Sequence, residues 1–453
     1  MTNKVVIVPA CTDLNRGDQA LVWEAAYLLK HAINEKVDIS IVDYGNTDED
    51  RERQSRQTKS AGFKVFRNIV ENPKRIISES TVHSSKFGII LAGLLAVVDF
   101  IRHFLVLCLP FELLFKLLFP NKEHQKTFRV IKNSDSIVVK GGGFLHTYGK
   151  VEDLYYLWFG LYYLLLGKRL NKKLIVLPNS IGPITGFSNR LFTRWVLNKC
   201  DLLYVRERVS LDFCHKIGIN NAKYAFDLGY YAEESLPTAL NKELVNDCIN
   251  KLSKEKTNIG ITVRPYRFPS AENPTERYEN YINSIATFCN KNKENSAYHF
   301  IVQVQGPSAH ETDMIAINDV ISKLESDVEY TVIDIDINYK EIMTVYSKFD
   351  LLLGTRFHSV IFSQVQGVPA AAIAYGGNKT HGIMKEINLD EYVIDINEIT
   401  APDLQAIFTK LIKNTSEYKA KLEIAFKSIE NDRESVSEDL KSCLLYTSDA
   451  ADE

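Results

Sequence analysis

The stretch GTRFHSVIFS (354–363) leaves the apolar run KFDLLL through a glycine, then sets Arg356 and His358 two positions apart. A strand-to-helix turn needs a glycine and a capping group; it does not need a guanidinium beside an imidazole. Arginine presents a planar fork that matches a carboxylate or a phosphate, and histidine exchanges a proton near neutral pH. The pair therefore points to acid–base chemistry on a small anion. A histidine that merely caps the following helix is the plain alternative, and the neighbouring arginine favours the chemical reading.

Similar residues recur wherever an apolar run ends. NRGDQA supplies Asn15, Gly17 and Asp18; VVKGGGFLH supplies Gly141, Gly142 and Gly143; LLYVRER supplies Arg206. Further on come Arg264 after NIGITV, Gln305 and Gly306 after YHFIVQV, and Lys379 after AAAIAYGGN. Each has an ordinary explanation. The glycine triplet fits a tight turn as well as a cradle of N–H groups for an oxyanion, and it matches neither nucleotide-binding glycine motif. Asp18 can cap the helix that follows. Arg206 can be a buried arginine paired with Glu207 or Glu24, or a fork for an anionic ligand. Lys379 can be a surface lysine. Together the cations and glycines describe a place for a compact, highly charged anion.

The elements that must position these residues alternate. KVVIVPA, an amphipathic helix and VDISIVDYG open a β-α-β unit, and strand–loop–helix repeats up to about residue 235. The rhythm restarts at NIGITVRP and runs through YHFIVQVQGP, EYTVIDID, DLLLGTR and PAAAIAYG. The expected fold is α/β: two Rossmann-like doubly wound domains facing across a cleft (GT-B-like). The expected spans are 1–236 and 256–400, followed by a C-terminal helix over 401–441. Ligands of such sheets sit beyond the carboxyl ends of the strands, where the residues above fall.

Composition narrows the function. The chain has 453 residues, a net charge of −3 and seven scattered cysteines without a C-x-x-C pair. That balance gives no broad nucleic-acid footprint, and the cysteines suit a reducing compartment. No histidine, cysteine or carboxylate group has metal-ligand spacing, so no metal is expected. The strand-like opening lacks a signal-peptide pattern, which reads as cytoplasmic. Residues 87–119, FGIILAGLLAVVDFIRHFLVLCLPFELLFKLLF, form an apolar insertion. Asp99, Arg102 and His103 argue against a bilayer span. Two readings stay open: a helical hairpin buried against the domain, or an element lying in a membrane surface, which would make the protein peripheral on the inner face of the cell membrane. The end, SCLLYTSDAADE (442–453), resembles translated adapter sequence; it is set aside as a non-native tail, with the true C-terminus missing.

The segments NRGDQAL, GGGFLH, NSIGP, YVRERVSLDFCHKIG and FDLLLGTRFHSVIFSQVQGVPAAAIAYGGNK resemble the polysaccharide pyruvyl transferases over about residues 5–395. The resemblance implies transfer of a pyruvyl group from phosphoenolpyruvate to two hydroxyls of a sugar. The product is a cyclic ketal, and the acceptor a polysaccharide or lipid-linked oligosaccharide. It implies His358 as the catalytic histidine, Arg356 and Arg206 as its catalytic partners, and Lys379 as the lysine after the last strand. No cofactor beyond the donor substrate is implied. Phe357 and Glu207 stand where the family often has Leu and Asp, and the loop before Asn15 lacks the family's usual glycines. Two competitors remain: a nucleotide-sugar glycosyltransferase on the same architecture, and a non-catalytic subunit of polysaccharide biosynthesis.

Overall fold

A computed structural model describes residues 2–11, 13–34, 36–43, 45, 47–71, 73, 86–147, 149, 153–233, 241–306, 312–377 and 379–445. It divides into two units. The first comprises Met1–Asp13, Leu21–Asp227 and Arg433–Glu453; the second comprises Leu14–Ala20 and Leu228–Asp432. The division falls inside α1 (Arg16–Ala32) and inside the last helix (Thr415–Leu445).

Among its described residues the first unit is built on eight strands: β1 (Asn3–Cys11), β2 (Val37–Asp43), β3 (Lys64–Phe66), β4 (Ser136–Val139), β5 (Gly142–Leu145), β6 (Lys173–Ile181), β7 (Leu202–Val205) and β8 (Ala222–Tyr224). Their order is β3-β2-β1-β4-β6-β7-β8, with β5 against β6, and every pairing is parallel. A parallel sheet is covered on both faces, which is why KVVIV and SIVV are unbroken apolar runs instead of alternating ones. Four helices of this unit matter below: α2 (Lys86–Cys108), α3 (Glu112–Leu118), α4 (Asp153–Arg169) and α5 (Phe187–Leu197).

The second unit has β9 (Thr257–Thr262), β10 (Ser296–Ile301), β11 (Tyr330–Ile333), β12 (Leu351–Gly354), β13 (Ala370–Ala374) and β14 (Val393–Asp395). All are parallel, in the order β11-β10-β9-β12-β13-β14. Counted within the unit this is the Rossmann order 3-2-1-4-5-6, whose switch point lies between β9 and β12. Both units are thus Rossmann-like and doubly wound, the GT-B-like fold class.

The unit boundaries differ from those read along the chain. Residues from Leu228 onward join the second unit, where the Tyr230 hydroxyl donates to Gln364 at 2.7 Å. The helix Lys242–Asn250, outside both expected spans, belongs to that unit too. The expected single helix over 401–441 is two, Ala401–Lys413 and Thr415–Leu445. They break at Asn414, next to the Thr415 hydroxyl that bonds back to Leu411. Ser442–Leu445 continue the second of these helices, with Leu444 buried, so the tail set aside at 442 is helical up to 445; residues 446–453 lie outside the described residues.

The apolar insertion is not a buried hairpin. α2 turns Asp99, His103 and Val106 inward and leaves Leu94, Val97, Ile101 and Phe104 half or more exposed. The inward face is tied down by the His103 ring, which lies 4.6 Å from that of Tyr162 and stacks on Phe119 at 5.5 Å.

Segment 14–20 is fastened to the second unit chiefly by Arg16. Its buried guanidinium donates to the carbonyls of Val302, Ile335 and Ile337. Burial pushes its pKa down, and only a set of acceptors this complete makes a buried guanidinium tolerable. Arg16→Leu strands these acceptors and is expected to lower stability by about 3 kcal/mol or more. A urea titration checks this; an unchanged midpoint would show that the arginine is not a fastening.

Candidate active site

The carboxyl edge of the second sheet gathers four of the cited residues. β12 ends in Gly354, and Thr355 and Arg356 lead into α6 (Phe357–Val365), so His358 sits in the first turn of that helix. β13 ends in Ala374, followed by Tyr375 and the glycines 376 and 377, both at positive φ, and Lys379 opens α7 (Lys379–Glu386). Arg264 follows β9. Both helix N-termini add positive character to this edge.

Asp313 fixes Arg356. Nε of Arg356 donates to Oδ1 at 2.8 Å and Nη2 lies 2.7 Å from the same oxygen, while Oδ2 accepts the N–H groups of Gln303 and Val304 at 2.9 Å each. Burial raises the Asp313 carboxyl, and Arg356 and the two N–H groups oppose it. Burial prevails and the net direction is upward; the three hydrogen bonds and the ion pair are what make a carboxyl tolerable at this depth.

Tyr375 reports how closely the other cations approach. The Arg264 guanidinium lies 4.1 Å from its ring centroid. Burial raises the phenol, but Arg264, Arg356 and Lys379 together outweigh it and leave its pKa below the usual value. The Lys379 ammonium also lies 5.6 Å from the Phe357 ring centroid. The loops after β9 and β13 border a cavity of about 230 Å³, lined by Tyr266, Phe268, Tyr375, Gly376, Gly377 and Asp395 among others.

His358 is half-buried rather than sealed in the apolar interior. Its imidazole lies against the main chain of Gly17, where an added Cβ would stand 2.3 Å from Nδ1. Glycine is required here for close approach, not for an unusual φ. Asn15, not Asp18, caps α1: its Oδ1 accepts the N–H groups of Gly17 and Asp18, while its Nδ2 donates to Asp18 at 2.9 Å. Gln305 and Gly306 hold this segment. The Gln305 N–H donates to Leu14, its amide is engaged with Asp334 and Ile335, and Gly306 leaves room for the Leu14 side chain. These contacts position the segment that carries Gly17.

In the first unit the glycine triplet is not a free loop: Gly142 and Gly143 begin β5. Gly142 has φ +151°, a conformation that favours glycine. Arg206 has a fully buried side chain whose main partner is Asp227, at 2.6 Å, instead of Glu24; Glu207 lies at 3.7 Å and Ser180 accepts from Nε. A Cβ on Gly143 would come within 2.8 Å of Nη2. Arg206 Nη2 and Asn179 Oδ1 are buried without a hydrogen-bond partner among the described residues. A ligand oxygen beside the glycines would satisfy the first of these.

Sequence reasoning missed Asp313, Asp227, Tyr266 and Tyr375. The two carboxylates carried no signal, since Asp313 stands 43 residues from its arginine and Asp227 21 from its own. Tyr375 adjoins the glycine pair and was legible only as part of that loop. Among the described residues no group of three or more His, Cys, Asp or Glu is placed to hold a metal ion.

The chain thus has two doubly wound units, with cations and an imidazole at the carboxyl edge of the second. The model of the polysaccharide pyruvyl transferase family matches residues 15–377, and the chain belongs to that family. The amylovoran biosynthesis protein AmsJ of Erwinia amylovora is 25% identical over 293 residues, covering 63% of this chain and 68% of that protein. Among solved structures, HepE of Anabaena in complex with UDP-glucose superposes with a TM-score of 0.53 at 12% identity, over 97% of this chain and 99% of that one. A putative UDP-N-acetylglucosamine 2-epimerase of Listeria monocytogenes gives 0.56 at 10% identity, over 98% and 97%. These likenesses show the fold; the family match shows a transferase acting in polysaccharide biosynthesis.

Gly17→Ala is expected to displace the His358 ring while the fold persists, because turning a side chain is easier than moving α1. The ring resonances of His358 by NMR should shift and transferase turnover should fall at least about tenfold, the scale on which small misplacements act. Unchanged resonances would show that the ring does not rest on this glycine.

Proposed function

We propose that the protein transfers the pyruvyl unit of phosphoenolpyruvate to two hydroxyls of one sugar, giving a cyclic ketal and inorganic phosphate. The observation that carries the reading is His358 beside Arg356, with Arg264 and Lys379 around Tyr375, at the switch point of the second sheet. The family match and the exopolysaccharide relative support it.

His358 as imidazolium protonates C3 of the donor, which becomes a methyl group. C2 then carries positive character and accepts the oxygen of one sugar hydroxyl. The C2–O bond to phosphate breaks, the second hydroxyl adds to C2, and the ketal closes. Of the two hydroxyl protons released, one replaces the proton given to C3 and the other leaves with phosphate. Arg356, its plane fixed by Asp313, and Lys379 stabilise the charge on the departing phosphate. Arg264 serves the donor carboxylate, and the acceptor ring occupies the cavity bordered by Tyr266, whose face suits the apolar side of a sugar. Arg206 is assigned an oxyanion of a bound substrate through the Nη2 that Gly143 leaves uncovered. The reaction as written needs no metal or further cofactor. We place the protein in the cytoplasm, with peripheral membrane contact through 87–119, which suits a lipid-linked oligosaccharide acceptor.

The nucleotide-sugar alternative draws on a fold relative solved with UDP-glucose. Cations as dense as these need not persist in a subunit without catalysis, since holding them near one another is costly.

His358→Ala and Arg356→Ala are each expected to slow phosphate release from phosphoenolpyruvate, in the presence of a glycan acceptor, by about 10²–10⁴-fold. Near-normal turnover in His358→Ala would remove the histidine from its role. Phosphoenolpyruvate, but not UDP-glucose, should raise the melting temperature; the reverse result would favour the glycosyltransferase.

A further inference from the structure

The helices outside the reaction site carry an apolar surface that the sequence shows only in part. In α2, Ile90–Cys108 has a mean hydropathy of 2.1, yet 17% of the window is buried. The exposed residues Leu94, Val97, Ile101 and Phe104 follow helical spacing and form one stripe. Leu113 and Leu117 of α3, the next helix along the chain, are exposed too, at 81% and 78%.

The surface does not end at the insertion. On α5, Phe187, Leu191 and Trp195 stand four residues apart, each more than half exposed. A run of rings, passing through the buried Trp158 of α4, packs the two helices against one support: Phe104 to Phe100 at 6.2 Å, Phe100 to Trp158 at 4.6 Å, Trp158 to Phe192 at 6.3 Å and Phe192 to Trp195 at 6.4 Å. Every link lies within the first unit. An apolar surface of this extent in water marks an interaction site.

Charge decides the partner. α5 contains no acidic residue; its charged side chains are Arg190 and Arg194, both exposed, each adjacent in sequence to an exposed apolar residue. The Lys199 ammonium lies 4.6 Å from the Trp195 ring centroid. The sole acidic residue of α2, Asp99, is turned inward and lies 3.9 Å from the guanidinium of Arg102, which remains half-exposed. Glu112 of α3 is matched by Lys116 and Arg129. Exposed apolar side chains, a tryptophan, and two arginines (Arg190 and Arg194) that have no ion pair among the described residues are the composition of an element that lies in the headgroup region of an anionic membrane. A water-soluble protein partner would not require this excess of cations, and a second copy of the chain would set the arginines against one another.

We infer that α5 and α2 form one docking face for an anionic lipid surface, with Phe187, Leu191 and Trp195 entering the bilayer boundary and Arg190 and Arg194 meeting its phosphates. The inference deepens the peripheral placement proposed above, naming the lipid class and a second contact element. It is independent of the donor chemistry, because binding is measured without turnover.

The test is flotation of the full chain with vesicles of phosphatidylcholine alone and with about 30% phosphatidylglycerol. Wild type should float with the anionic vesicles, more weakly as salt rises, and bind the neutral ones at least about tenfold less well. Arg190→Glu with Arg194→Glu, changes at exposed positions, should reduce anionic binding at least about tenfold with the circular dichroism spectrum unchanged. Phe187→Ser, Leu191→Ser and Trp195→Ser together should do the same. Trp195 fluorescence in the wild type should shift to the blue on binding. Equal binding by wild type and both variants would remove α5 from the face. Failure of wild type to bind either vesicle, or a dimer dissociated by the α5 substitutions, would overturn the lipid assignment. Pyruvyl transfer to a water-soluble acceptor by a charge-reversed variant would separate the two proposals: lost docking with retained turnover leaves the reaction standing.

Discussion

A buried carboxylate must be matched by donors, and in the second unit Asp313 meets that requirement with groups from different parts of the chain. One oxygen takes the Arg356 guanidinium; the other takes the N–H groups of Gln303 and Val304. The same stretch after β10 fastens segment 14–20, since the Arg16 N–H donates to Gln303 and Asn15 bridges Val304. That segment places Gly17 against His358. A single carboxylate thus orients the guanidinium and, through the main chain it holds, the support of the imidazole. Removing it would leave Arg356 partly buried without its counter-ion, which is far more costly than losing a surface pair.

The first unit treats its arginine differently. Arg206 is fully enclosed, with Asp227, Ser180 and Glu207 around it, whereas the Arg356 side chain keeps 12% of its surface in water. An enclosed guanidinium is held against rotation and cannot reach out; it acts only on what comes to it. The absence of a side chain at Gly143 is what lets the main chain lie against Nη2, so this glycine is informative through what it omits.

How far the sequence could be read follows from the range of the interactions. Apolar runs and helical spacing are local, and they identify the two parallel sheets and the strand exits that carry Arg264, Arg356, His358 and Lys379. Asp313 and Asp227 are invisible to such a reading because a polar residue at a helix start or strand end carries no mark of its distant partner. The glycine triplet illustrates a different limit: a loop and a short edge-paired strand accept the same residues, and only pairing with β6 distinguishes them. The unit boundary was misplaced because elements were assigned in chain order, while residues 14–20 and 433–445 pack with the unit that does not precede them in sequence. The insertion's apolar character was plain. Its exposure was not, since hydropathy measures preference and not location.

The exposed helices raise a question that stability alone does not answer. A parallel crossover needs about a dozen residues, but β3 ends at Phe66 and β4 begins at Ser136. The sheet closes without most of that segment, so the fold does not demand α2. Nor is α2 recruited for its apolar mass: the groups it buries are Asp99, His103 and Val106, two of them polar. A helix kept for core burial would turn its leucines inward and its charges outward. This one buries Asp99 and His103 beside Val106 and packs Leu107 on the core, while Leu94, Val97, Ile101 and Phe104 face outward. The lipid-docking proposal is the reading that gives this arrangement a purpose. The same exposure appears in Phe187, Leu191 and Trp195 of α5, outside the insertion. The apolar exposure is therefore not confined to the insertion: helices on either side of α4 in the first unit share it.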